Sequence, residues 1–334
     1  MRFVSATPAR APWTRRLGAA CLVAASAVLA ACGGGTASTP FVPDRVLAFG
    51  DEASVIDTAG RKYTVNAVSA TTGAIDCATN VLWIQVVATG RYGLVFPECN
   101  PNGVANPTSR IRAQPGARVA GLAAQIDAQI AAGGFTGRDL SLVMIGANDV
   151  IDALALYPAT DVSQLVAQVT ASGRLLGQQI NRMADLGTRV VVSSVLDLNA
   201  SPYAATQPNA RVGVDCPRVL GETDRNVPLV TCLVDRFNAA MRTTIYNDGR
   251  QIGLVLGDVM VRNYLQFPRL GGFVNVTDAA CAPTAPLPTC TPSTLAAADV
   301  NPFTWLWAAD TQLSPGGHSQ LGALAAARAA TNPF

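Results

Sequence analysis

Three short polar stretches carry the residue types that do chemistry. Gly50-Asp51-Glu52, with Ser54 just behind, ends one apolar run, and Gly146-Ala147-Asn148-Asp149 ends another. Asp310 and His318 stand near the C-terminus, the latter inside "PGGHSQLGALAAARA". A hydroxyl, an imidazole, carboxylates and a side-chain amide are the parts of acyl transfer: nucleophile, base, orienter and a donor for a developing oxyanion. His318 is the chain's one histidine. Serine chemistry here therefore has one possible cast: Ser54 as nucleophile, His318 as base and Asp310 as orienter. Each has a plainer reading. Ser54 caps or lines the first turn after the strand, and His318 is a helix residue bonded to nearby backbone. Glu52 has three readings: a general base toward water, a carboxylate at home near a helix N-terminus, or a structural group that hydrogen-bonds Asn148 and fills the site. Pointing into an oxyanion hole, it would repel the oxyanion.

These stretches sit where a parallel sheet places ligands. Val46–Phe49, Leu140–Ile145, Thr188–Leu196 and Ile252–Leu256 are short apolar or β-branched runs that read as buried strands. Tyr92–Phe96 is a further candidate strand, and residues 60–68, "GRKYTVNAV", read as an exposed strand or hairpin. Helical spacing marks Asn80–Ala88, Val119–Ala132, Val162–Leu186 and Leu233–Asn247, and Pro315 opens a last helix. Strands alternating with helices predict one α/β domain over 44–334, a three-layer α/β/α sandwich with about five parallel strands. Ligands in such sheets bind at the carboxyl ends of the strands. Gly50-Asp51, Gly146–Asp149 and Val195-Leu196-Asp197 all fall there. Residues 198–231 and 268–304 are rich in Pro, Thr and Cys and read as stapled loops over the rim of the site.

The order and spacing of these blocks over nearly all of residues 44–334 resemble the SGNH/GDSL hydrolases, a family with a flavodoxin-like fold that cleaves carboxylic and acyl esters. The first block of that family reads Phe-Gly-Asp-Ser-Leu, and "FGDEAS" matches it at Phe49, Gly50 and Asp51, with Glu52 in the serine position. "RAQPGARVAGLAAQI" resembles the second block and nominates Gly116 as a backbone oxyanion donor. "GAND" matches the third block in full and nominates the Asn148 amide. Aligned on "LSPGGH", the last block places Ala309 at the family's aspartate and Gln312 at its histidine, with Asp310 and His318 at neighbouring positions. The resemblance makes Asp51 and Asp149 scaffolding acids that bond loop N–H groups. It implies an ester hydrolase if active, acting on lipid, polyester or acylated glycan. With Glu52, Ala309 and Gln312 at the triad positions, the alternative is an inactive protein that binds such a ligand, or a partner, in the inherited cleft.

The N-terminus reads as an address. Arg2, Arg10, Arg15 and Arg16 precede the apolar Leu17–Ala31 run, which is short for a membrane span. Leu29-Ala30-Ala31-Cys32 resembles a bacterial lipobox: residues 1–31 would be removed, Cys32 lipidated, and 32–43 left as a tether. Gly33 after the cysteine favours the outer membrane of a Gram-negative envelope. One lipidated residue anchors without spanning. Removing Cys21 and Cys32 from the eight cysteines leaves six, in three close pairs. Short loops close at least entropic cost, so the expected pairs are Cys77–Cys99, Cys216–Cys232 and Cys281–Cys290. No CxxC accompanies the single histidine, so no metal site is expected, and no cofactor. The chain has 334 residues, is 14% charged and carries a net charge of +2 without a basic run, so nothing favours a nucleic-acid partner.

Overall fold

The computed structural model describes residues 40–218 and 223–331. The chain divides into Met1–Pro40 and Phe41–Phe334, and the elements below belong to the second unit. Cys21, Cys32 and the rest of the expected signal and lipobox lie outside the described residues.

The strands in chain order are β1 (Arg45–Gly50), β2 (Ala67–Val68), β3 (Ile75–Asp76), β4 (Arg110–Ile111), β5 (Asp139–Met144), β6 (Arg189–Ser193), β7 (Gly213–Cys216), β8 (Asp224–Pro228), β9 (Ile252–Val255), β10 (Asn275–Ala279), β11 (Trp305–Ala309) and β12 (Gln312–Leu313). The helices are α1 (Trp83–Gln85, continued as a π-helix over Val86–Arg91), α2 (Val119–Ala131), α3 (Ala147–Ala155), α4 (Val162–Asp185), α5 (Pro202–Thr206), α6 (Leu229–Thr244), α7 (Gly257–Gln266) and α8 (Pro315–Ala330).

The main sheet has five parallel strands in the order β4-β1-β5-β6-β9. Counted within the sheet this is 2-1-3-4-5, the flavodoxin-like order. Leu140, Leu142 and Val143 of β5 and Val190, Val191 and Val192 of β6 are fully buried. Such β-branched and leucine runs suit strands covered on both faces. The chain steps one way from β1 to β4 and the other way from β4 onward. Right-handed crossovers then put α1 on one face and α2, α4 and α6 on the other. Contacts agree: α4 packs on α6 and α2, whereas α8 packs on α1. Gly173 lets α4 approach α6 closely, since a Cβ there would lie 2.2 Å from the Phe237 carbonyl oxygen.

Three local expectations need correction. Tyr92–Phe96 is not a strand; its Leu94 N–H caps the preceding helical segment through the Ala88 carbonyl at 2.9 Å. The second sheet strand is instead the two-residue β4. Residues 60–68 contribute only Ala67–Val68 to a hairpin with β3. Their middle is not exposed: Lys62, Thr64, Val65 and Asn66 are fully buried. The two loop regions also hold structure, the β7–β8 hairpin and α5 in one and β10 in the other. All three expected disulfides are present.

Candidate functional site

The floor of the site is two tight strand-to-helix turns. Gly50 ends β1 at φ +124°, and a Cβ there would sit 1.8 Å from the Met144 carbonyl oxygen of β5, so no side chain fits. The Gln125 amide of α2 clamps this residue, accepting from Gly50 N and donating to Gly50 O, both at 2.8 Å. Asp51 turns inward and accepts the Ala53 N–H at 3.2 Å, capping a short 3₁₀ turn over Glu52–Ser54. Burial, with the Glu52 charge beside it, holds the Asp51 carboxyl well above the usual carboxylate range. Gly146 makes the matching turn after β5 at φ +120°, where a Cβ would collide with the Phe237 ring. Asn148 and Asp149 thus enter the first turn of α3. Asp149 accepts the Val119 N–H at 3.0 Å and ties that turn to α2.

The Glu52 carboxylate lies among the groups that sequence alignment nominates as oxyanion donors. The Gly116 N–H donates to Glu52 Oε2 at 2.7 Å. Asn148 Nδ2 reaches both carboxylate oxygens, at 3.4 and 3.3 Å. Gln312 Nε2 donates to Glu52 Oε1 at 3.3 Å. Neighbouring carboxylates that need a cation or N–H donors find them in such a cradle. The side chain in the serine position therefore seats its own negative charge on the backbone donor and the amide, with Gln312 completing the set.

Ser54 and His318 lie behind this corner, both fully buried. They do not hydrogen-bond to each other; each bonds to Trp83. Trp83 Nε1 donates to Ser54 Oγ at 3.1 Å, and Trp83 N donates to His318 Nδ1 at 3.4 Å. An Nδ1 that accepts leaves the imidazole proton on Nε2, and that atom is buried without a partner. Burial, reinforced by the Lys62 ammonium, pushes His318 down to about 3. Lys62 is itself buried, its Nζ donating to the carbonyls of Cys77 and Thr79 at 2.9 and 2.6 Å, and burial lowers it to about 8. The plainer readings of Ser54 and His318 match these contacts: a hydroxyl in the turn after the strand, and a helix residue bonded to backbone.

The third wall is the β11–β12 hairpin. Ala309 pairs with Gln312, and Asp310-Thr311 form the two-residue turn. Asp310 adopts φ +44°, which aspartate tolerates better than most residues. Its side chain is exposed and makes no hydrogen bond or ion pair among the described residues; its carbonyl accepts the Tyr203 N–H at 3.2 Å. A cleft of about 360 Å³ opens over these groups, lined by Glu52, Tyr63, Gly116, Asn148, Tyr203 and Asp310, with Pro115, Ile151, Pro286, Leu287, Thr311 and Gln312 completing its wall. Beneath Gln312 a narrow apolar pocket of about 10 Å³, between Ala53, Ile145, Val195 and Leu198, has room for no more than a water. Asp197, the third strand-end residue, lies apart from the cleft and pairs with Arg262 at 2.7 Å.

Tyr63 and Tyr203 were not legible as site residues. Neither lies in a motif, and both arrive from loops whose path depends on tertiary contacts. The Cys281–Cys290 staple bounds the loop that brings Pro286 and Leu287 to the cleft.

No family model matches the chain, and no curated protein matches it. Among solved structures it is similar to Axe2, an acetylxylan esterase from Geobacillus stearothermophilus, at 12% identity and a TM-score of 0.43 over 88% of this chain and 97% of that one. It is also similar to the acetyl xylan esterase AlAXEase, at 11% identity and a TM-score of 0.38 over 84% and 96%. A third likeness is to a member of the lipolytic protein G-D-S-L family from Veillonella parvula DSM 2008, at 10% identity and 0.35 over 70% and 87%. These likenesses say nothing of what this chain acts on. The strand order stands without them, and it carries "FGDEAS" at the end of β1, Gly116 ahead of α2, "GAND" at the end of β5 and Gln312 ahead of α8. On that arrangement the chain has the α/β fold of the SGNH/GDSL hydrolases.

Proposed function

We propose that this protein is an exported, lipid-anchored envelope protein of ester-hydrolase ancestry whose cleft binds a small acyl-ester or glycan ligand without serine-triad hydrolysis. The observation that carries this reading is the Glu52 carboxylate on the Gly116 N–H and the Asn148 amide. A tetrahedral oxyanion needs those donors free and is repelled by a carboxylate among them. The only imidazole is buried, held off its base role by the Trp83 N–H and by its low affinity for a proton. Three disulfides support an oxidising compartment.

A fluorophosphonate probe and p-nitrophenyl acetate test the site. The expected result is no labelling and no turnover above a Ser54→Ala control. Labelling that disappears in Ser54→Ala would restore the serine enzyme, and turnover that survives Ser54→Ala but is lost in Glu52→Gln would assign a general base. Metabolic labelling with an alkynyl fatty acid tests the anchor: label is expected on the wild type and absent from Cys32→Ser.

A further inference from the structure

We propose that the cleft takes a ligand bearing a protonated amine, held by the Asp310 and Glu52 carboxylates between Tyr63 and Tyr203. This rests on the reading of the cleft as a non-catalytic binding site; an amino sugar falls within the glycan class proposed above, and a polyamine would replace that class.

Two carboxylates line the cleft and no arginine or lysine does. Cations beside the lining residues are engaged elsewhere: Arg118 pairs with Asp152 and bonds the Gly116 carbonyl, Arg61 pairs with Asp57 at 2.7 Å, and Lys62 Nζ donates to the Cys77 and Thr79 carbonyls. Near a protein surface, unit charges at contact distance still interact appreciably. A cationic ligand gains from this, a neutral one does not, and an anionic one loses. The free acids and phosphates that an empty oxyanion cradle would attract are therefore disfavoured.

The two carboxylates differ in availability. Glu52 already accepts from three residues and supplies field at the floor. Asp310 stands at the rim with no hydrogen bond or ion pair among the described residues. The left-handed backbone of Asp310, at φ +44°, is a conformation most residues avoid, and it presents this one uncommitted carboxylate to the opening. Gln312, 7% exposed, adds a wall amide whose Oε1 has no partner. The Nε2 bond to Glu52 fixes which end of that amide is which.

The aromatic lining agrees. Burial and then the Glu52 charge push the Tyr63 phenol up, and burial followed by Asp152 and Asp310 does the same to Tyr203. Both rings thus sit within electrostatic reach of the acids. Aromatic rings beside a carboxylate favour ammonium groups. Pro115, Ile151, Pro286 and Leu287 add apolar surface for a sugar face or a methylene chain.

The ammonium could belong to an amino sugar or to an aliphatic polyamine. Calorimetric titration of the full mature protein distinguishes them, using a glucosamine tetramer, its N-acetylated counterpart, spermidine and acetate at 50 mM and 300 mM NaCl. The expected result is saturable binding of the glucosamine tetramer or of spermidine, with the tighter of the two naming the source. The glucosamine tetramer, if it is the ligand, binds at least 10-fold tighter than its N-acetylated form. Binding weakens several-fold at high salt and about 10-fold in Asp310→Asn, and acetate does not bind. Asparagine accepts the left-handed turn as readily as aspartate, so this substitution removes charge and leaves the hairpin. Tyr203→Ala is a second, independent variant, expected to weaken the same ligand. Equal or tighter binding of the N-acetylated tetramer, an Asp310→Asn protein that binds like wild type, or no saturable binding of either amine overturns the proposal. Ester turnover or fluorophosphonate labelling in the same preparation would instead overturn the reading beneath it.

Discussion

Glu52 and Ser54 leave the same strand two residues apart and meet different environments. Glu52 turns into the cleft and is met by donors from three other elements: the loop ahead of α2, the first turn of α3, and β12. Ser54 turns into the core, where the Trp83 indole gives it one hydrogen bond and the Trp83 backbone N–H bonds His318. The open corner keeps its donors and has filled them with an internal anion. The buried corner holds a hydroxyl and an imidazole, but the indole of Trp83 takes the one and its backbone N–H takes the other. Residue types alone do not make a triad. Geometry has given the polar groups of this site to two separate networks, one for holding charge and one for packing.

The comparison breaks most sharply on acid. His318 carries a folded pKa of about 3 against an ordinary 6.5. The unfolded chain takes up a proton below about 6.5 and the folded chain resists it until about 3. Stability is therefore complete above the ordinary value and is lost as pH falls through that window, by an amount on the order of 3–5 kcal/mol. Urea unfolding at pH 7, 5 and 4 should show this loss in the wild type and a much flatter profile in His318→Asn. Equal acid slopes in the two proteins would mean that the buried corner is wetter than described.

Trp83→Phe comes next. It removes the donor to Ser54 and leaves a small void, at an expected cost of about 1–3 kcal/mol in chemical denaturation. Ligand affinity at the cleft should be unchanged, and a change would join the two networks. Glu52→Gln acts on the open corner and should cost about 1 kcal/mol, because its partners lie near water. A loss larger than that of Trp83→Phe would invert the ranking of the corners. Asp51→Asn has the smallest effect. The folded pKa of Asp51 lies above its unfolded one, so its charge costs stability above the folded value, and below about 3.8 both states are protonated. Asparagine keeps the cap, so the variant should gain up to about 1 kcal/mol near pH 8 and nothing near pH 3. A gain at acid pH would contradict the burial of Asp51.

Much of this was legible because it is local. β1, β5, β6 and β9 are runs of buried apolar residues, and α2, α4, α6 and α8 show their spacing or their caps. β4 was not legible, since two residues cannot carry a period. Tyr92–Phe96 has strand-forming residues, but the turn at Gly93, φ +68°, ends a helix there instead. Lys62 looks exposed by type, and only two carbonyls offered from Cys77 and Thr79 permit its burial. Gln312 was legible as a replacement at a triad position. Its bond to Glu52 joins residues 260 apart in sequence and could come only from the closed fold. The disulfide pairs followed from closeness in sequence alone.

The direction of β1 has a consequence for orientation. The chain enters at Arg45, where Phe41 lies under the Arg189 guanidinium at 4.2 Å. It delivers Glu52 about 20 Å away, past the opposite edge of the sheet. The point where the chain enters the fold and the floor of the cleft therefore lie at opposite ends of the sheet, so whatever occupies the cleft stays clear of that entry.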